Sequence, residues 1–227
     1  MQGEFDASTS TRCFAVGAMY HANFTAVPRF VQMLRREAPH IEFRCVVHRD
    51  SHDAAQMLDD GRTELAIGTL RDLPSRFRTQ QIGSDRPICI ARRDHPALID
   101  GLDLEVFLRL PHACVMQGVD PAEEVDVTLS RQRQRRHIKL SLPGFYPLAV
   151  AIEFSDMLAV VPESVARALM LYVPITIHEL PFDVPQWPLL MAWTAASEQD
   201  PGISWLRDFI VRVHEPAISA DAPAGMQ

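Results

Sequence analysis

The sequence predicts an α/β fold made of two lobes that repeat one strand-and-helix pattern. Three observations carry that expectation. Short apolar runs alternate with amphipathic helical stretches from residue 13 to residue 214. The first three strands follow a β-α-β-α-β order, which calls for parallel pairing with right-handed crossovers. The same order then restarts after the run PICIA (87–91), and 227 residues exceed what one ordinary domain core requires.

CFAVGA (13–18) is an apolar run between small residues, hence a buried strand, and MYHAN (19–23) is the turn that leaves it. Val27, Phe30, Val31 and Leu34 then recur at helical spacing and give one apolar helix face. Pro28 is tolerated only in a first turn, so this helix is expected to begin near Asn23 to Thr25, either of which can cap it. Pro39 ends it, and IEFRCVV (41–47) is the second strand. Asp50 or Ser51 caps the next helix, with Asp53 in its first turn, and Gly61 stops it because glycine reaches the left-handed conformation freely. ELAIG (64–68) follows as the third strand. Ligands in parallel sheets sit beyond the carboxyl ends of the strands, so MYHAN and GTLRD (68–72) are expected to share one edge and border a pocket.

The second lobe reads in the same way. After PICIA come the turn RRDHP, a short helix LDLEVFLRL, the strand HACVM, the loop QGVDPAEE and a helix EEVDVTLSRQ. Then follow the strand HIKLSLP, the turn GFYP, the helix LAVAIEF, the strand MLAVV and a helix from Pro162. A proline-rich passage, ELPFDVPQWP, leads to the strand LLMAWTA and a last helix from Pro201 to about His214. The tail SADAPAGMQ is expected to be disordered.

Composition narrows the function. Hydrophobic residues make up 47% and charged residues 22%, and no apolar run approaches the roughly eighteen residues of a membrane span. The N-terminus has no basic start followed by an apolar stretch, so a cytoplasmic location without membrane association is expected. A net charge of −7 argues against a chain built to cover phosphates. The basic cluster SRQRQRRHIK (130–139) reads as cations at a helix end and a solvated loop. Cys13, Cys45, Cys89 and Cys114 lie singly in apolar runs and are expected to be small buried hydrophobes. His48, Asp50, His52 and Asp53 crowd together, but the start of a helix accounts for Asp50 to Asp53, so no metal site is assigned. No HExxH, GxSxG, phosphate loop or paired-carboxylate signature proposes an enzyme, and no cofactor is expected.

Six stretches in order, FDASTSTRCFAVGA, APHIEF, LDDGRTELAIG, RRDHPAL, SDMLAVVPESVA and WTAASEQDPGISWLRDF, resemble the effector-binding domain of LysR-type transcriptional regulators. They cover most of positions 5 to 213, and the pattern is most similar to the branch with aromatic-catabolism and nodulation regulators. The resemblance implies a two-lobed, type 2 periplasmic-binding-protein-like fold with two crossover hinge strands, near 91–95 and 189–194. It divides the chain into a linker remnant (1–11), lobe I (12–90 plus 191–215), lobe II (91–190) and a tail (216–227). It also implies a small-molecule effector, aromatic or anionic, held between the lobes, with homo-oligomers forming a dimer, or a tetramer in a full-length protein. The helix at 25–37 would pair with the helix near 163–171 of a second copy. DNA binding would belong to an absent N-terminal helix-turn-helix. A transporter's solute-binding protein, an enzyme on the same scaffold and a purely oligomerising module are the competing readings.

By this resemblance the effector-binding residues fall in loops at strand ends. In lobe I these are Met19, Tyr20 and His21, beside a helix N-terminus that favours an anion, and Thr69, Leu70 and Arg71, with Arg71 a carboxylate partner. Gln117, Gly118, Gly144, Phe145 and Tyr146 come from lobe II, the two aromatics offering a stacking surface. Trp193 and Thr194 lie on the return strand, where many relatives carry a histidine at the position of Thr194.

Overall fold

The computed structural model describes residues 5–116 and 123–215. The first lobe contains β1 (Cys13–Ala18), α1 (Tyr20–Glu37), β2 (Glu42–Val47), α2 (Ser51–Asp59), β3 (Leu65–Gly68) and β4 (Phe77–Asp85), completed by β10 (Trp187–Thr194) and α7 (Pro201–His214). The second contains β5 (Pro87–Arg92), α3 (Leu104–Arg109), β6 (Pro111–Val115), α4 (Glu123–Arg131), β7 (His137–Leu142), α5 (Phe145–Glu153), β8 (Leu158–Pro162), α6 (Glu163–Leu169) and β9 (Ile175–His178). Each lobe is built on a five-stranded sheet, ordered β2-β1-β3-β10-β4 and β7-β6-β8-β5-β9. The two orders have one form, and the repeated sequence pattern anticipates it. β1 pairs in parallel with β2 and β3, as the β-α-β-α-β order requires, while β10 returns antiparallel.

The central strands are apolar on both faces because both faces are covered. Leu65 and Ile67 of β3 enter the core beneath α1 and α7, with Phe14, Val16, Leu206 and Phe209, whereas Ala66 packs with Ala54 and Leu58 beneath α2. β5 does the same in lobe II: Ile88 and Ile90 face α5 and α6, while Cys89 and Ala91 face Phe107 and Leu129. The local signals at α2 hold as read. Asp50 accepts a hydrogen bond from the Asp53 amide at 2.8 Å, and Gly61 sits at φ +66°.

Several expectations are corrected. α1 begins at Tyr20, so Pro28 lies inside the helix; it is exposed, and the helix runs through it despite the lost donor. The sheet changes between Asp85 and Pro87, ahead of the expected 91–95, and the return falls between β9 and the Trp187 end of β10. The reason is β4, a long, polar strand without the apolar alternation that sequence reading depends on; the four-residue β9 escaped it as well. Cys89 is buried, but Cys45 is exposed, because β2 is an edge strand. Residues 5–12 are tied to lobe I: Phe5 packs on Phe14 and Trp205, and Arg12 pairs with Asp200 at 2.8 Å.

The crossover is clamped. Asp85 accepts from the Ser164 hydroxyl at 2.5 Å, and Arg86 reaches Glu163 at 2.6 Å and Glu179 at 2.8 Å. The Arg86 guanidinium holds the Glu163 carboxyl below its ordinary range.

His112, fully buried in lobe II with its Nε2 bonded to the Phe107 carbonyl at 2.7 Å, is pushed down to about 4 by burial. Burial lowers His48, His178 and His214 as well. A buried neutral imidazole binds fewer protons than its unfolded counterpart, so its stabilisation is full above the unfolded value of 6.5 and is lost as pH falls towards about 4. Unfolding free energy from urea titrations is expected to drop between pH 7 and pH 4.5, with His112 contributing about 3 kcal/mol across its full window. A flat profile over that range would contradict the burial of these rings.

Candidate functional site

The carboxyl edge of lobe I's sheet faces the matching edge of lobe II. The cross-lobe contact that establishes this is an ion pair between Arg71, just after β3, and Glu124, on the first turn of α4. The cleft lies between these edges. On one side are the exits of β1, β2 and β3, and on the other the exits of β6 and β7.

Two helices begin at these edges without a side chain to cap them. α1 starts at Met19 and α5 at Gly144, and neither has a side-chain cap or an acidic residue in its first turn. α2, α3 and α7 are each capped instead by an aspartate, Asp50, Asp103 and Asp200. An N-terminus presents unpaired N–H groups and the positive end of the helix dipole, so an open one is suited to receive an anion.

The floor on the lobe I side is Met19 over Gly68. A β-carbon added at Gly68 would lie 2.8 Å from Met19 Cγ and 2.9 Å from its sulfur, so the methionine occupies the space that a larger residue would need. Beneath them His48, 1% exposed, directs its Nε2 at the Ile67 carbonyl, 3.0 Å away. A carbonyl only accepts, so Nε2 carries the proton, and burial keeps the ring neutral. Arg71 is set by its own backbone, whose N–H donates to the Ser51 hydroxyl at 2.8 Å at the start of α2. That places its guanidinium at the mouth, where among the described residues its ion pair is with Glu124 of the other lobe.

The expected site residues divide accordingly. Met19, Thr69, Arg71, Gly144 and the half-exposed Tyr146 stand at the facing edges. Leu70 is buried with Ala54, Leu58 and Phe77, and Phe145 is buried with Leu148 and Ile152, so both act as core at the cleft's base rather than as stacking surfaces. Trp193 and Thr194 are displaced from the cleft by register: Leu190 pairs with Gly68 at the cleft edge, and β10 then runs down the sheet away from it. Trp193 packs in the lobe I core under the Arg207 guanidinium, 4.5 Å from the ring, and Thr194 bonds Ser197 in the following turn. Gln117 and Gly118, and the side chains of Tyr20 and His21, lie outside the described residues. Sequence reading overlooked Ser51, Glu124 and the floor position of His48. His48 directly follows the second parallel strand, and the strand-end rule that singled out MYHAN and GTLRD would have found it.

Residues 10–215 match the family model described as LysR substrate binding domain. Among curated relatives, the HTH-type transcriptional activator NahR of Pseudomonas putida is 30% identical over 91% of this chain and 68% of its own length. The HTH-type transcriptional activator NagR of a Ralstonia species is 27% identical over 94% of this chain and 70% of its own length. The solved regulatory domain of MexT, a transcriptional activator of Pseudomonas aeruginosa, superposes with a TM-score of 0.80 at 25% identity, over 88% of this chain and 99% of that one. These relatives are transcription regulators rather than enzymes.

Gly68→Ala is expected to drive the Met19 side chain into the cleft at a cost of about 1 kcal/mol, which lowers the thermal midpoint by about 2–4 °C. The Met19 methyl resonance in NMR reports the movement. An unchanged resonance would show that the floor has room to spare.

Proposed function

We propose, for a chain that belongs to the LysR substrate binding domain family, that the cleft between its lobes takes a small organic acid with an aromatic or otherwise apolar body, and that closure upon it is the sensing event. The two lobes are the sensing part of a LysR-type transcriptional regulator. The observation that carries the ligand class is the pair of open helix starts, α1 and α5, on facing edges with Arg71 between them. A carboxylate at the α1 N-terminus would compete with Glu124 for Arg71. That exchange is inexpensive, because an exposed ion pair is worth at most about 1 kcal/mol. Ligand binding therefore replaces one cross-lobe contact by another and selects a different lobe angle. DNA reading falls to a helix-turn-helix part outside the two lobes.

The same reading includes assembly. Val27 and Val31 of α1 and Val47 of β2 are exposed apolar residues on one side of the chain; Met170, Leu171 and Tyr172 after α6 and Ile138 of β7 are exposed on another. β2 and β7 are each the first strand of their sheet. Two such patches suit an antiparallel dimer in which each copy offers its α1 and β2 side to the α6 and β7 side of the other, burying both patches twice.

Calorimetric titration with a panel of aromatic carboxylates is expected to find a binder that Arg71→Ala weakens at least tenfold, since a charge-assisted hydrogen bond contributes about 1.5–3 kcal/mol. The matching alcohols should be insensitive to that change. No binding anywhere in the panel, or equal weakening of acids and alcohols, would sink the ligand assignment. Sedimentation should show dimers that Leu171→Glu combined with Tyr172→Glu converts to monomers, and a wild-type chain monomeric at every concentration would remove the assembly.

A further inference from the structure

The basic run SRQRQRRHIK has no part in the cleft, and in the fold its arginines separate into two kinds. Arg136 belongs to the structure: its side chain is 1% exposed and forks onto the Asp126 carboxylate of α4 at 2.7 and 2.8 Å. Arg131, Arg133 and Arg135, on the turn from α4 to β7, are exposed, and among the described residues they enter no ion pair. Arg109, exposed at the end of α3, stands at the same end of the lobe, since Pro111 and His137, the first residues of β6 and β7, are paired neighbours. β6 and β7 run from here towards the cleft, and α4 comes down from Glu124 at the cleft edge. The four arginines therefore cap the end of lobe II away from the cleft. His137 and Lys139 continue along β7, on the side assigned above to a second copy, and are not counted with them.

The backbone of this turn is a second observation. α4 ends with the Gln134 amide donating to the Leu129 carbonyl and the Arg133 amide to the Ser130 carbonyl, both at 2.9 Å. α2 ends in the same way, with the Arg62 amide on Met57 at 2.9 Å and the Gly61 amide on Leu58 at 3.2 Å. This pairing requires one left-handed residue, and glycine adopts that conformation without steric cost. α2 has Gly61 there at φ +66°, whereas α4 has Arg133 at φ +58°. An arginine held at that cost, with no ion pair in its own fold, points to a partner outside it.

The run from Arg131 to Arg135 contains only arginine and glutamine. Protein partners are held chiefly by apolar and aromatic anchors, which this turn lacks. Nucleic-acid phosphates are held by guanidinium forks and polar donors alone. We propose that this end of lobe II is a sequence-independent DNA contact, in which Arg131, Arg133 and Arg135, with Arg109 at the same end, pair with backbone phosphates of the duplex. The contact rests on the reading of the chain as part of a DNA-binding regulator, but requires neither an effector nor closure of the cleft. A DNA-reading part joined ahead of β1 would enter lobe I at its Cys13 end, and an antiparallel pair sets the arginine end of the other copy's lobe II beside that point.

The test is fluorescence anisotropy of a labelled DNA duplex of about 30 base pairs and arbitrary sequence, titrated with the whole 227-residue chain. Binding is expected with a dissociation constant of about 1–100 µM in about 20 mM NaCl, weakening with salt along a log–log slope of about −3. Arg133→Gly should weaken it by at least about threefold and reduce the slope by about 1, while the thermal midpoint is kept or raised because glycine relieves the turn. Arg62→Gln removes one charge from an exposed arginine of lobe I and should change the affinity by less than about twofold. The proposal is overturned if the wild-type chain leaves the anisotropy unchanged at about 300 µM, or if Arg62→Gln weakens binding as much as Arg133→Gly, which would make net charge the cause. It is equally overturned if polyglutamate displaces the duplex as effectively as unlabelled DNA does, which would assign the patch to an acidic protein. None of these results touches effector binding in the cleft, which the calorimetric titration reads by itself, so the two readings fail separately.

Discussion

Where the chain crosses between its lobes, a charged knot holds it. Arg86 stands where the chain leaves one sheet and enters the other, and its guanidinium is shared between Glu163 and Glu179 while Asp85 beside it holds Ser164. All four partners are close to the ends of strands, so the geometry of the crossover fixes how the two sheets face each other. A bidentate, multiply paired arginine keeps its orientation in a way that a single exposed pair does not. With that end fixed, freedom remains at the other end of the cleft, where Arg71 and Glu124 meet as an exposed pair. The contrast is the physical basis of a hinge: a knot that persists on one side and a contact that exchanges on the other.

The chemistry of the cleft follows from what its helices lack. α7 of lobe I starts away from the facing edges, and there Asp200 satisfies its first amides. α1 leaves that role vacant at the exit of β1, and α5 does so at the exit of β7. α2 also starts at the cleft side but is capped by Asp50, so the two open starts are a choice made by sequence rather than a property of the edge. The chamber between α1, α7 and the sheet is the opposite case. Among the described residues its lining holds no arginine, lysine, aspartate or glutamate, and it opens past the exposed Val27 and Val31.

Much of this was legible in the residues. Where a segment is covered on both faces, as LAIG and PICIA are, its apolar run is uninterrupted, and where it begins a helix a capping residue marks the start. Asp50, Gly61 and Pro201 each announced a boundary that the fold respects. β4 was illegible because Arg78, Thr79, Gln80 and Gln81 are exposed in succession on both faces, which leaves no apolar alternation; its pairing with β10 makes it a strand. The start of α1 was misplaced because Pro28 was taken as a first-turn residue, whereas the surrounding helix tolerates it on an exposed face.

The positions of the expected residues were legible only in part, for a reason that generalises. Sequence alone determined many of the strands and helices and which loops leave the carboxyl ends of the parallel strands, and therefore that Met19, Thr69 and Arg71 share one edge; that Gly144 stands on a facing edge was implied only by the family resemblance. Those features depend on local pattern and on the fixed hand of β-α-β units. Tertiary structure decided what pattern cannot carry: the register of β10, which takes Trp193 and Thr194 out of the cleft; the burial of Leu70 and Phe145; the pairing of Arg71 with Glu124; and the chamber between α1 and the sheet. Each of these is a distance between residues far apart in the chain, and such distances are set by packing rather than by the identity of neighbours along it.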